Sequence, residues 1–202
     1  TPPFIPVWRG IHGFLESLSW GRLKGSIMHE EFIGQARTAY FSMEIALRAD
    51  IHTYSGGLGV LAGDTLRSAA DLDLPLVGVT LVSREGYFRQ ELDARGRQIE
   101  YPDPWDPAER CRCTLEAKIT VPIEDRQVWV GGWLYVLEGH MGGRQPVILL
   151  DTDLPENVAE DRTLTHHLYG GDAAYRLKQE IVLGVGGVRM LHALGFDIRQ
   201  YH

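Results

Sequence analysis

The stretch Tyr54-Ser55-Gly56-Gly57-Leu58-Gly59-Val60-Leu61-Ala62-Gly63-Asp64 constrains this chain more than any other. Gly56, Gly57 and Gly59 stand at the head of a run with helical spacing, in which Leu58, Leu61, Ala62, Leu66, Ala69 and Leu72 predict one apolar helix face. Just upstream, Ala39-Tyr40-Phe41-Ser42-Met43 reads as a short strand. A strand, a glycine-rich bend and a helix start form the arrangement with which α/β proteins hold anions. The first helical turn leaves N–H groups free, and the helix dipole adds positive potential there. Glycine removes the Cβ that would block close approach of a ligand to the backbone. The pattern is not a P-loop, since no Gly-Lys-Ser/Thr follows, and its glycine spacing is not that of the dinucleotide fingerprint. Spacing alone therefore leaves two readings open, an anion site and a tight strand-to-helix corner.

The 202 residues allow one domain or slightly more with a real hydrophobic core. No apolar run is long enough to span a membrane, and the start, Thr1-Pro2-Pro3-Phe4-Ile5-Pro6, does not read as a signal peptide. The formal net charge of −7, with no basic cluster, argues against nucleic acid or an anionic membrane as partner. A phosphate would have to be held by local dipoles. Cys111 and Cys113 have a single residue between them, a spacing that disfavours a disulfide, and with no other cysteine in the sequence this points to a cytoplasmic setting.

Further along, Leu76–Ser83 reads as a buried parallel strand, and Tyr87–Leu92 as its hairpin partner after the Arg84-Glu85-Gly86 turn. Residues 101–113 form a proline-rich loop around Trp105. The runs Ala117–Ile123, Gln127–Leu137 and Pro146–Leu150 predict an antiparallel β excursion, with Gly131-Gly132 as a bulge. A long helix is expected from Ala174 to Leu194, with Leu177, Ile181, Val188 and Leu191 on one face and Gly195 as its C-cap. Gly184, Gly186 and Gly187 inside it imply close packing on another backbone. Ile198–His202 looks like the opening of a new strand, so the chain reads as part of a longer protein.

Several of these pieces, in order, resemble the glycogen/α-glucan phosphorylase family. They are Ala39-Tyr40-Phe41-Ser42-Met43-Glu44, the Ser55–Asp64 glycine segment, Gly86-Tyr87-Phe88-Arg89-Gln90, Pro104-Trp105, Leu168-Tyr169-Gly170-Gly171-Asp172 and Arg176-Leu177-Lys178-Gln179-Glu180. The similarity runs from about Ala39 to Gly195, and its spacing is closer to the short bacterial and archaeal type. The resemblance implies an α/β fold, part of the N-terminal Rossmann-like domain of a two-domain glycosyltransferase of GT-B type. Residues 1–38 would form an N-terminal helical segment and 39–202 the first part of that domain. It also implies phosphorolysis: orthophosphate releases glucose 1-phosphate from the non-reducing end of an α-1,4-glucan, with pyridoxal phosphate as cofactor and full-length homodimers as a possible assembly.

Carried onto this sequence, the N–H groups of Gly56 and Gly57 would face substrate and cofactor phosphates, and that of Leu58 the glucosyl unit. Glu44 would lie near the acceptor sugar, the alternative being a solvated or arginine-paired carboxylate. Asp172 would line the substrate pocket, cap the following helix, or both. Ala173 departs from the asparagine of regulated family members. Arg176 and Glu180 read as an i,i+4 pair, His166-His167 as a solvated helix start with no metal role, and Tyr87, Phe88 and Trp105 as packing groups. The Schiff-base lysine belongs to the family's C-terminal domain, so the chain alone is expected to be inactive. A nucleotide-sugar glycosyltransferase resembling glycogen synthase, and a non-catalytic glucan- or phosphate-binding module, are the competing functions.

Overall fold

Strand β1 (Thr38–Phe41), helix α1 (Gly57–Asp71) and strand β2 (Leu76–Leu81) make the first βαβ unit of a computed structural model that describes residues 31–202. The two strands pair in parallel from Thr38↔Leu76 to Phe41↔Val79. Most of the expected N-terminal helical segment lies outside the described residues. After β2 come a hairpin, β3 (Arg89–Leu92) and β4 (Gln98–Tyr101), and a short helix, α2 (Pro107–Arg110). Four strands follow: β5 (Cys113–Thr114), β6 (Ile119–Ile123), β7 (Arg126–Glu138) and β8 (Arg144–Asp151). Helices α3 (Ala159–Arg162) and α4 (Ala173–Ile181), a π-helical segment (Val182–Gly186), helix α5 (Gly187–Ala193) and strand β9 (Gln200–Tyr201) complete the order.

The main sheet runs β5-β7-β8-β2-β1-β9, with β6 also paired to β7. Strands β8, β2, β1 and β9 are mutually parallel, and only β7 and its partners run antiparallel. The chain is therefore α/β, as expected. Both faces are covered. On one, Ala62, Leu66 and Ala70 of α1 pack with Ile45, Val147 and Leu149. On the other, Val182, Met190 and Leu191 pack with Val77, Val79, Leu81, Ile148 and Leu150. The alternation of Val147 and Leu149 against Ile148 and Leu150 is the two-residue period of a strand buried on both sides. Each of these fully buried aliphatic side chains contributes about 1.5–3 kcal/mol.

Several expectations are corrected. The inward face of α1 is Gly59, Ala62, Gly63, Leu66, Ala69 and Ala70, whereas Leu58, Leu61 and Leu72 point outward, Leu61 and Leu72 being 64% and 68% exposed. Tyr87–Leu92 is no partner of β2: β3 pairs with β4 in a separate, exposed two-stranded sheet. The expected antiparallel strands are present, and β7 joins β8 and through it the parallel sheet. Gly131 and Gly132 form no bulge; their ladder to Asp151 and Leu150 is unbroken. A Cβ on Gly132 would sit 2.9 Å from Leu115 Cδ1 and 3.0 Å from Leu149 O, so packing accounts for that glycine.

The long helix is present but interrupted. A π turn shifts the inward stripe from one side to the next, so the buried residues are Gln179, Val182, Leu183, Gly186, Gly187, Met190 and Leu191, while Leu177 is 58% exposed. Gly187 is closely packed, but on side chains and not on the expected backbone: a Cβ there would lie 2.5 Å from Phe41 Cε1 and 3.0 Å from Val79 Cγ1. At Gly184 nothing lies within 4 Å. Gly195 ends the helix at φ +88°, and Phe196 N–H donates to Leu191 O as a C-terminal cap requires. The expected final strand is β9, parallel to β1. Among the described residues no helix is long and apolar enough to cross a membrane.

Candidate functional site

The carboxyl ends of β1, β2 and β8 share one edge of the sheet, where ligands of open parallel sheets bind. From β1 the chain bends at Ser42, whose hydroxyl donates to Glu44 O at 2.7 Å. It returns at Thr53, whose hydroxyl donates to Ile45 O at 2.6 Å. Ala46 N–H then donates to Gly59 O, tying this loop to the first turn of α1. Gly56 is the N-cap residue of α1, with no side-chain cap and no acidic residue in the first turn.

The missing cap comes from a distance. Glu44, only 4% exposed, directs its Oε2 to Ser55 N–H at 2.8 Å and Gly56 N–H at 3.2 Å. It is thus neither solvated nor paired with an arginine. Gly56 N–H is already engaged within the chain. The N–H groups of Gly57 and Leu58, on exposed residues, have no acceptor among the described residues.

The glycines of this turn divide into two kinds. A Cβ on Gly59 would lie 2.4 Å from Tyr54 Cβ and 2.9 Å from Glu44 Oε2; one on Gly63 would lie 2.3 Å from Ala46 O. These two are glycine so that the helix can seat on the loop below. At Gly56 and Gly57 a Cβ would meet nothing within 4 Å, and Gly56 has an extended backbone, φ −162°. Packing within the chain does not require glycine at either position. What their bareness leaves open is the outer approach to the backbone at a helix N-terminus.

The segment before α4 closes on the same edge. Tyr169 has φ +57°, and the Arg176 guanidinium stacks over its ring at 5.5 Å. Burial, with contact to the Glu44 carboxylate and its charge, pushes the Tyr169 hydroxyl up to about 12. Arg176 therefore serves Tyr169 and not Glu180 as expected. Asp172 is exposed and caps α4, its Oδ1 accepting from Tyr175 N–H at 2.9 Å. His166 and His167 do not begin a helix. Both face Glu85, with His166 Nδ1 at 3.4 Å and His167 Nε2 at 3.0 Å from its carboxylate oxygens. Gln179, fully buried, donates to Leu164 O and His167 O and so fastens this segment to α4.

Beneath it, buried Asp151 at the end of β8 accepts from Arg84 Nη2 at 2.5 Å and Trp133 Nε1 at 2.8 Å. Trp105 packs as expected, donating its indole N–H to Ser83 O, while Tyr87 is exposed and lies tilted against the Phe88 ring. No sequence spacing announces the Glu85–histidine cluster, the Arg84–Asp151 pair or Tyr169 beside Glu44. Each joins residues far apart in the chain.

A sequence-family profile, Carbohydrate phosphorylase, matches residues 45–127, which include the whole glycine turn. Over 169 residues, 81% of this chain, the sequence is 41% identical to maltodextrin phosphorylase of Thermococcus litoralis. It is 43% identical to glycogen phosphorylase of Mycobacterium tuberculosis over 77% of the chain, and 35% identical to that of Aquifex aeolicus over 81%. Over these stretches the chain is similar to carbohydrate phosphorylases. It spans 20%, 18% and 24% of the length of these three phosphorylases. In this chain the glycine turn, Glu44 and the Tyr169–Asp172 segment meet at one edge of the sheet.

Proposed function

We propose that this chain supplies the neutral, backbone side of the phosphate site of an α-glucan phosphorylase, which releases glucose 1-phosphate from α-1,4-glucan with orthophosphate. Residues 39–202 are, in this reading, the first part of the N-terminal Rossmann-like domain of a GT-B enzyme that acts in the cytoplasm, with homodimerisation of the full-length protein a possible assembly. One observation carries the proposal. At the start of a fifteen-residue helix, two glycines that packing among the described residues does not need stand where two N–H groups have no partner among those residues. Fixed dipoles of this kind are already oriented when charge arrives and cost no reorganisation. Gly57 N–H and Leu58 N–H both serve phosphate, that of Leu58, one position further into the helix, on the side toward the glucosyl unit. Asp172 borders the sugar side while it caps α4.

Pyridoxal phosphate fits this chain at one end only. The bare backbone at Gly56 and Gly57 suits the edge of a phosphate group, which in this family supplies proton donation and acceptance toward the substrate phosphate. The two described lysines do not suit an aldehyde. Lys118 Nζ lies 2.6 Å from Glu156, and Lys178 Nζ 2.9 Å from Glu124, whose hydrogen bond raises the lysine's affinity for its proton. Residues outside this chain supply the Schiff-base lysine and the cations of the site, and the chain alone does not turn over substrate.

Gly57→Pro in the protein at its full natural length is the direct test. Proline is favoured at the first helical position, where its missing N–H costs the helix nothing. The substitution removes one donor and leaves α1 in place. The expected outcome is a loss of about 10²–10³-fold in kcat/KM for orthophosphate, measured as glucose 1-phosphate formed from maltodextrin. Unchanged kinetics would place the phosphate elsewhere.

A further inference from the structure

We propose that Glu44 is a positioning residue, whose buried carboxylate holds the N–H groups of Ser55 and Gly56 so that those of Gly57 and Leu58 are aimed at phosphate. The inference rests on the phosphate reading above and assigns Glu44 a role that needs no contact with sugar.

Three observations converge on it. First, Glu44 Oε2 accepts from two successive N–H groups, at 2.8 and 3.2 Å, and so fixes the orientation of the peptide planes that lead into α1. Peptide planes are rigid units joined by two soft dihedrals, so holding two of them in place narrows the conformations open to the next. Second, the carboxylate is 4% exposed and has no cation partner among the described residues. A buried, unpaired charge is costly unless hydrogen-bonded. The turn and the positive end of α1 are its compensation, so turn and carboxylate hold each other in place. Third, the pairing is built into the helix. A Cβ on Gly59 would come within 2.9 Å of that same oxygen, so Gly59 is bare where Glu44 lies. The first two N–H groups of the array are therefore spent on the protein's own carboxylate, and the next two are left for an outside oxyanion. A negative charge fixed below the turn also disfavours deeper entry of a phosphate, which keeps it at the outer N–H groups.

The test compares Glu44→Ala and Glu44→Gln with Gly57→Pro in the full-length protein, with orthophosphate and maltodextrin varied separately. A misaimed array costs on the order of 100-fold, so Glu44→Ala should lower kcat/KM for orthophosphate by about that factor and leave the glucan KM within two-fold. Glu44→Gln keeps an acceptor oxygen of the same reach and should recover most of the loss, which also excludes misfolding as the cause. A second readout needs no turnover. In the 202-residue chain, orthophosphate should shift the amide resonances of Gly57 and Leu58, and Glu44→Ala should abolish those shifts while core amides stay put. If Gly57→Pro weakens phosphate use and neither Glu44 variant does, the positioning role is wrong. A rise in glucan KM with Glu44→Gln would instead make Glu44 a sugar contact and equally overturn it. If Gly57→Pro has no effect, the phosphate reading itself fails.

Discussion

Gly63 and Gly56 are seven residues apart and are glycine for opposite reasons, which makes them a matched pair of probes. Alanine at 63 drives a Cβ to 2.3 Å from the carbonyl of Ala46, a backbone atom that cannot rotate away. Overpacking of this kind costs about 1–3 kcal/mol, so Gly63→Ala should lower the urea midpoint clearly. Alanine at 56 meets nothing within 4 Å. Its stability should stay within about 0.5 kcal/mol of the parent, with the damage confined to phosphate use. Equal destabilisation by both would contradict the division. The turn itself was legible from glycine spacing and the apolar run behind it. The division was not, because it depends on what lies under each Cα: Ala46, Tyr54 and Glu44 reach the helix only through the loop that folds back from β1. For the same reason the alternative reading of Glu44, a solvated or arginine-paired carboxylate, does not hold, since it is buried against two amides.

At the scale of elements, strands were read well and helix faces poorly. Buried strands announce themselves by β-branched runs, and β1, β2, β6, β7 and β8 lie close to where those runs stand. The face of α1 departs from its apolar periodicity because small residues, Gly59, Ala62, Gly63, Ala69 and Ala70, line the sheet side with Leu66, while Leu58, Leu61 and Leu72 point out. Hydrophobic periodicity weights the leucines and undercounts the glycines. In the last helix one π turn shifts the stripe, so a single period drawn from Leu177 to Leu191 starts on the wrong side. Asp172 tests an element directly. Its carboxylate caps α4, so Asp172→Ala should cost about 1 kcal/mol, and Asp172→Asn, an equally good cap, almost nothing. If Asp172 also borders bound sugar, Asn should keep the urea midpoint and still raise the glucan KM. A variant pair that tracks stability alone would leave Asp172 a cap and nothing more.

For the molecule as a whole, alkaline pH is the condition that separates folded from unfolded chain. Burial, reinforced by the neighbouring Cys113 and Asp151, pushes the Cys111 thiol from its ordinary value near 9 up to about 12. The folded state therefore favours the protonated thiol. Its contribution is complete below pH 9 and is lost as pH rises from 9 toward 12, at up to about 1.4 kcal/mol per pH unit. Burial also raises Tyr135 and Tyr175, in the same direction. The urea midpoint should fall between pH 8 and pH 10, and Cys111→Ala should flatten that slope. An unaltered slope in the variant would remove the thiol as its source.

The parallel pairing of β1 with β2 has a kinetic consequence. It joins Thr38 to Leu76, whereas β8 must reach back from Val147 to Gly78 to extend the sheet. Short-range closures are entropically cheaper and come earlier in folding. The segment that carries the glycine turn is thus the most local piece of the parallel sheet, and we expect it to acquire protection from hydrogen exchange before β8 does in a pulse-labelling experiment. A protein that assembles in this order has its anion-facing amides in place while its sheet is still growing, so an anion that binds them can act on folding as well as on the finished molecule.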